Sequence, residues 1–188
     1  MEEILKFLGS IHPLSEECQN YLRKVVQKRS YEKKEFILRP DEVCKNLYFI
    51  KKGLLRCFYL LNGKEVTDWF FWENDTVVSV KSWYSQTPGE DFIQAVEPCE
   101  LYFICNADLE HIYNRYIEFN YIGRVLTTKY LLIWHELARN IRFLGADEKY
   151  RFLLEERPEL LQRVPLRDLA TWLDMTPETI SRRRGNLE

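Results

Sequence analysis

At 188 residues with 46% hydrophobic content, the chain has room for one medium domain and one small one. No apolar run is long enough to cross a membrane and the charged start at Met1 to Ile4 is unlike a signal peptide, so a cytoplasmic location is expected. The net charge of −2 excludes bulk attraction to nucleic acid, and five cysteines at 18, 44, 57, 99 and 105, odd in number and without a Cys-x-x-Cys pair, fit reduced thiols rather than a disulfide framework.

Two helical patterns open the chain, Glu2 to Leu8 and Leu14 to Gln27, the second with Ser15 as its expected N-cap. Short β-branched or aromatic runs follow: Glu35 to Leu38, Leu47 to Ile50, Leu54 to Leu60, Glu65 to Phe71, Thr76 to Ser79, Phe92 to Val96 and Glu100 to Ile104. Their even spacing predicts an antiparallel sandwich or roll, with Asn62-Gly63 as a hairpin turn and Lys52-Gly53 as another tight turn. From Asn114 to about Gly145 the pattern becomes that of one long helix, whose apolar stripe includes Phe119, Ile122, Leu126, Ile133, Leu137, Ile141 and Leu144. A stripe of roughly 40 Å at 1.5 Å per residue outruns a roll of this size. Ile122, Leu126, Ile133, Leu137 and Ile141 are therefore the expected seam of a homodimer, the alternative being a helix that lies wholly on its own domain.

The last 25 residues carry the sharpest signal. Leu166, Leu169, Ala170 and Leu173 form one apolar helix face, and a second helix begins with Thr176 as N-cap, Pro177 at its first position and Glu178 beside the positive end of the dipole. Only Asp174, Met175 and Thr176 separate them, the tight turn of a helix-turn-helix. On the second helix Glu178, Ser181 and Arg182 share a face while Ile180 points to the first helix. Arg182 has the fork that pairs with guanine O6 and N7, Glu178 can accept from a cytosine amino group, and the hydroxyls of Thr179 and Ser181 suit phosphate. Arg183 and Arg184 are expected to add phosphate contacts without sequence preference. Residues 145–188 hold eight Lys/Arg against nine Asp/Glu, so the basic surface is confined to Arg182, Arg183, Arg184 and, in this reading, Arg163 and Arg167.

Residues Thr176 to Arg182 resemble the recognition helix of the Crp/Fnr superfamily of bacterial transcription regulators, and Glu155 to Pro165 is similar to that family's lead-in helix. The order of helix pair, roll, long helix and helix-turn-helix resembles the whole Crp/Fnr layout, and Leu47 to Gly53 looks like the second strand and hairpin glycine of a cyclic-nucleotide-binding roll. The resemblance implies an α+β chain: a sensor roll over 1–113, a dimerisation helix over 114–145 and a DNA-binding unit over 146–188. Two positions depart from the pattern. Asp174 stands at the usual turn glycine, and the chain stops at Glu188 without the β-hairpin wing, so wing contacts to DNA are expected to be missing.

Cyclic-AMP-binding relatives use a Gly-Glu pair and an arginine clamp; here the place of the pair falls near Val77 to Ser82, which has no Gly-Glu, Gly89-Glu90 stands at the opposite end, and no arginine lies between Arg56 and Arg115. Only Lys64 and Lys81 stand there, against Asp/Glu at 65, 68, 73, 75, 90, 91, 97, 100, 108 and 110. A buried phosphodiester without a paired cation is costly, so gating by cyclic AMP is not expected. Trp69, Trp72, Lys81, Trp83 and Phe92 are read either as lining a pocket for another ligand or, for the aromatics, as the roll's core.

The scattered His12, His111 and His135 give no metal spacing, the cysteines give no iron–sulfur spacing, and no nucleophile elbow or phosphate loop occurs, so neither an enzyme nor a cofactor protein is expected. The reading is a homodimeric, sequence-specific regulator that binds double-stranded DNA, whose roll is either a sensor for an unidentified small-molecule effector or a former sensor, and which, if an activator, meets RNA polymerase. The alternative is a ligand-binding or protein-interaction module that keeps the roll but no longer reads DNA.

Overall fold

In the computed structural model, which describes residues 1–185, helix α1 spans Glu2–Ile11 and α2 spans Glu16–Val25. Ser15 Oγ accepts from the Cys18 N–H at 3.3 Å, the expected cap, with Glu16 and Glu17 in the first turn. The helix stops short of Gln27, because that residue opens strand β1 (Gln27–Tyr31). The sequence pattern shows no such strand: its first four side chains are polar and exposed, and pairing with β8 (Cys99–Cys105), Tyr31 opposite Cys99, is what makes it one.

The remaining strands are β2 (Phe36–Leu38), β3 (Asn46–Lys52), β4 (Leu55–Leu61), β5 (Lys64–Phe71), β6 (Thr76–Val77) and β7 (Phe92–Ala95). They form two antiparallel four-stranded sheets, ordered β1-β8-β3-β6 and β2-β7-β4-β5, with Ile50, Leu54, Leu55, Phe70, Ile93 and Leu101 fully buried. Asn62 and Gly63 both take positive φ, 52° and 75°, the primed turn that their sequence predicts, and Leu61 pairs with Lys64 across it. Gly53 has φ +102°, and a Cβ there would stand 2.5 Å from Cys99 Sγ and 2.8 Å from the Pro98 carbonyl. Gly53→Ala is expected to destabilise by about 2–3 kcal/mol, through backbone strain added to a clash. Urea unfolding reads the loss, and a change below 0.5 kcal/mol, roughly the scatter of surface substitutions, would remove the steric argument.

Three expected boundaries move. The run Thr76 to Ser79 is strand only as far as Val77, and α3 (Val80–Ser85) follows it. The long helix is two, α4 (Asn106–Arg115) and α5 (Ile117–Phe143), broken at Tyr116 with φ −118° and ψ 100°, so the boundary drawn between 113 and 114 falls inside α4. Glu155 to Pro165 is not one lead-in helix. Helix α6 (Ala146–Glu156) ends where Pro158 bars Arg157 from helical geometry, and α7 (Leu160–Arg163) restarts after it. Helices α8 (Leu166–Trp172) and α9 (Pro177–Gly185) close the described chain as the expected helix-turn-helix, with Leu169, Ala170, Leu173 and Ile180 buried. The end of the chain, where the wing is expected to be missing, includes 186–188, outside the described residues.

Candidate nucleic-acid interface and roll cavity

The turn between α8 and α9 works because Asp174 adopts φ +52°, a left-handed angle that Asp tolerates better than most residues. Thr176 Oγ1 then accepts from the Thr179 N–H at 3.2 Å, capping α9, and Pro177 fills the first helical position, where an N–H has no partner. Backbone amides at this helix start, then the Thr176 hydroxyl, hold the Glu178 carboxyl below its usual range. Glu178, Ser181 and Arg182 are exposed together along α9, and Thr176 and Arg184 are exposed as well.

Other expected contacts are altered by tertiary partners. The Thr179 hydroxyl lies 3.0 Å from that of Thr176, so it belongs to the cap rather than standing free for phosphate. Arg183 is half-buried with Nε 2.7 Å from the Asp147 carboxylate, an ion pair that ties α9 to the start of α6. Arg163 is no part of a basic surface: it grips Glu73 at 3.0 Å and Glu97 at 2.6 Å. Arg167 is exposed but lies 3.3 Å from both Glu65 and Asp168.

These pairs fasten the helix-turn-helix to the roll. Arg56 on β4, only 3% exposed, reaches Glu65 at 2.7 Å, Thr67 at 2.8 Å and Asp168 of α8 at 3.4 Å. Thr171 donates to the Thr67 hydroxyl at 2.9 Å and accepts from the Thr67 N–H at 3.2 Å. Trp172 packs edge-on against Phe70 and Trp69, with ring centroids 5.5 and 6.2 Å apart.

A partly open cavity of about 1110 Å³ lies between the strands of the roll and the helices packed on it, α1, α2, α4 and α5. Lys81 and Trp83 line it as expected, but the other pocket candidates do not. Trp69 and Trp72 line a separate space of about 150 Å³ with Ile133, Leu137, Phe152 and Trp172, because β5 turns Trp69 toward α8. Phe92 stacks on Phe58 at 4.7 Å with planes 3° apart. In their place the cavity gains Asp68 and Asp91, which the sequence counted only among the carboxylates that oppose a phosphate, and Tyr130 and Trp134, which it did not single out. Strand alternation on β5 was the available sign for Asp68; Tyr130 and Trp134 come from a helix some sixty residues away and left none. Asp91 accepts from the Ser79 hydroxyl, closing the loop that carries α3. Tyr130 donates to Asp75 at 3.1 Å and accepts from the Thr76 N–H at 2.8 Å, which pins α5 to β6.

The residues of the expected dimer seam pack within their own chain. Ile122 and Leu137 are buried in their own chain, and Leu126, Ile133 and Ile141 are half-buried against the same core, because α5 lies on the roll and on the units that follow it. The large apolar side chains that α5 exposes are instead Ile117 at 86%, Tyr121 at 44%, Leu131 at 68%, Leu132 at 62%, Trp134 at 43% and Phe143 at 71%. No helix among the described residues is long and apolar enough to cross a membrane.

Residues 28–116 match the cyclic nucleotide-binding domain family. No curated protein sequence matches the chain. Among solved structures, FixK2 of Bradyrhizobium japonicum is similar with a TM-score of 0.73 at 22% identity, covering 87% of this chain and 84% of that one. The c-di-GMP-responsive global regulator CLP of Xanthomonas campestris aligns with a TM-score of 0.69 at 19% identity over 92% and 91% of the two chains. A proposed transcriptional regulator of the Crp/Fnr family from Eubacterium rectale aligns with a TM-score of 0.71 at 19% identity over 93% and 83%. At such identities the likeness is one of fold.

Proposed function

We propose that this protein, whose residues 28–116 match the cyclic nucleotide-binding domain family and whose fold is similar to that of Crp/Fnr regulators, is a homodimeric, sequence-specific DNA-binding transcription regulator that cyclic AMP does not gate. The exposed row Glu178, Ser181 and Arg182 on a capped α9 carries the reading: it offers an acceptor, a hydroxyl and a guanidinium fork at the spacing that meets successive base edges. Arg184 supplies phosphate attraction and Arg183 orients α9 through Asp147. In this reading the roll over residues 1–113 is an effector domain, α5 the dimerisation helix and residues 146–188 the DNA-binding unit, with RNA polymerase the further partner of an activator. The dimer forms along the outer side of α5, where Tyr121, Val125, Thr128, Leu132 and His135 recur at steps of three and four.

Selection of bound fragments from random duplex DNA by the purified protein is expected to enrich one sequence. Arg182→Ala should then cost about 1–3 kcal/mol of specific binding and relax base choice at one position, whereas Arg184→Ala should weaken all sequences alike and flatten the salt dependence. Equal, sequence-independent losses for both would remove Arg182 as a reader. The acidic balance of residues 145–188 favours a second reading, an interaction module without DNA binding, and absence of any enriched sequence would support it.

A further inference from the structure

The roll cavity has the wrong charge for the ligand its family is named after. Asp68 and Asp91 both line it, close enough for the charge of each to act on the other. Asp91 has the Ser79 hydroxyl, but Asp68 has neither a hydrogen bond nor an ion pair among the described residues, although it is half-buried. Burial, and then the charge of Asp91, push its carboxyl up to about 6, so at neutral pH it stands ionised in a place that disfavours the ion. Asp68 is thus an unpaired carboxylate on the cavity wall, partly open to the cavity. Lys81 and Arg124 also line the cavity, yet both are exposed, no ion pair among the described residues joins either to Asp68 or Asp91, and Arg124 lies over the Tyr121 ring at 5.0 Å. The other walls are rich in aromatic faces, among them Trp83, Tyr130 and Trp134, and such faces attract cations.

We propose that this cavity binds an organic cation with an apolar or aromatic body, its ammonium or similar group held by Asp68 and Asp91 and its body packed on Trp83, Tyr130 and Trp134. The assignment rests on reading the roll as an effector domain. A cation here removes the repulsion between two carboxylates, whereas the anionic phosphate of a cyclic nucleotide would add a third negative charge.

The test titrates the full-length protein with 2-phenylethylammonium, its neutral counterpart 2-phenylethanol, the anion phenylacetate, and cyclic AMP, following tryptophan fluorescence and melting temperature. The cation is expected to saturate below about 10 mM and to bind at least about tenfold more tightly than the other three. Asp68→Asn, nearly the same in shape, should lower cation affinity by at least about tenfold while the unliganded melting temperature stays level or rises, and Asp91→Asn provides the same reading if the first variant folds poorly. Equal binding of cation and neutral alcohol, indifference to both substitutions, no saturation by the cation, or micromolar saturation by cyclic AMP would each overturn the proposal. Selection of DNA fragments is scored separately. Cation binding without an enriched DNA sequence retires the regulator reading alone, and an enriched sequence without cation binding retires the ligand class alone.

Discussion

Arg56→Ala is expected to cost about 3–5 kcal/mol of folding stability, as removal of one partner from a buried ion pair does. The guanidinium is 3% exposed and meets Glu65, Thr67 and Asp168 while lying over the Phe58 ring at 4.3 Å, so its loss strands the buried Asp168 carboxylate at the junction of roll and helix-turn-helix. Because one Arg56 amino group has no partner among the described residues, the cluster is short of full compensation, and an apolar replacement of Arg56 and Asp168 together should recover most of the loss. Urea unfolding of the single and double variants separates these terms. A single-variant loss below about 1 kcal/mol would mean that Arg167, 3.3 Å from both Glu65 and Asp168, takes over from the solvent side.

The second large effect divides α5 into two faces. Leu137→Asp should cost about 3–5 kcal/mol within a single subunit, since it places a carboxylate among Trp69, Trp72 and Trp172, in a space that Glu136 and Glu156 also line. Arg157, which lines the same space, is already engaged over the Trp72 ring at 4.5 Å. Leu132→Asp, on a side chain 62% exposed, should leave the subunit's stability nearly unchanged and instead dissociate the proposed dimer. Chemical unfolding and sedimentation velocity tell the two apart. A folded, monomeric Leu137→Asp protein would return the seam to the face that sequence spacing suggests.

Much of this fold is legible in the chain because its signals are local. A cap such as Ser15 or Thr176, a Pro177 at the first position and an Asn62-Gly63 turn each act within four residues, so they predict helix starts and a hairpin without knowledge of the partner. The same holds for the reading face of α9, which follows from helical spacing alone. Strand β1 fails this test: Lys28, Arg29 and Ser30 show no alternation, and only β8 makes them a strand. The kink at Tyr116 is equally silent, since neither Pro nor Gly marks it.

By itself, then, the sequence determines the coarse order of helix pair, strands, long helical region and helix-turn-helix, the face that Glu178, Ser181 and Arg182 share, and a stretch from Arg56 to Arg115 with no arginine between them. The tertiary structure decides which charges remain available and which apolar stripe is covered. Arg163 meets Glu73 and Glu97 across 90 and 66 residues of chain, and Arg56 meets Asp168 across a comparable span, so their neutralisation is invisible to any local pattern. The stripe of α5 reads identically whether a second subunit or its own roll covers it, because periodicity reports that a face is buried and not what buries it. The sign of the cavity follows the same rule: Asp68 and Asp91 sit on separate strands or loops, and only the closing of the roll sets them together against Tyr130 and Trp134.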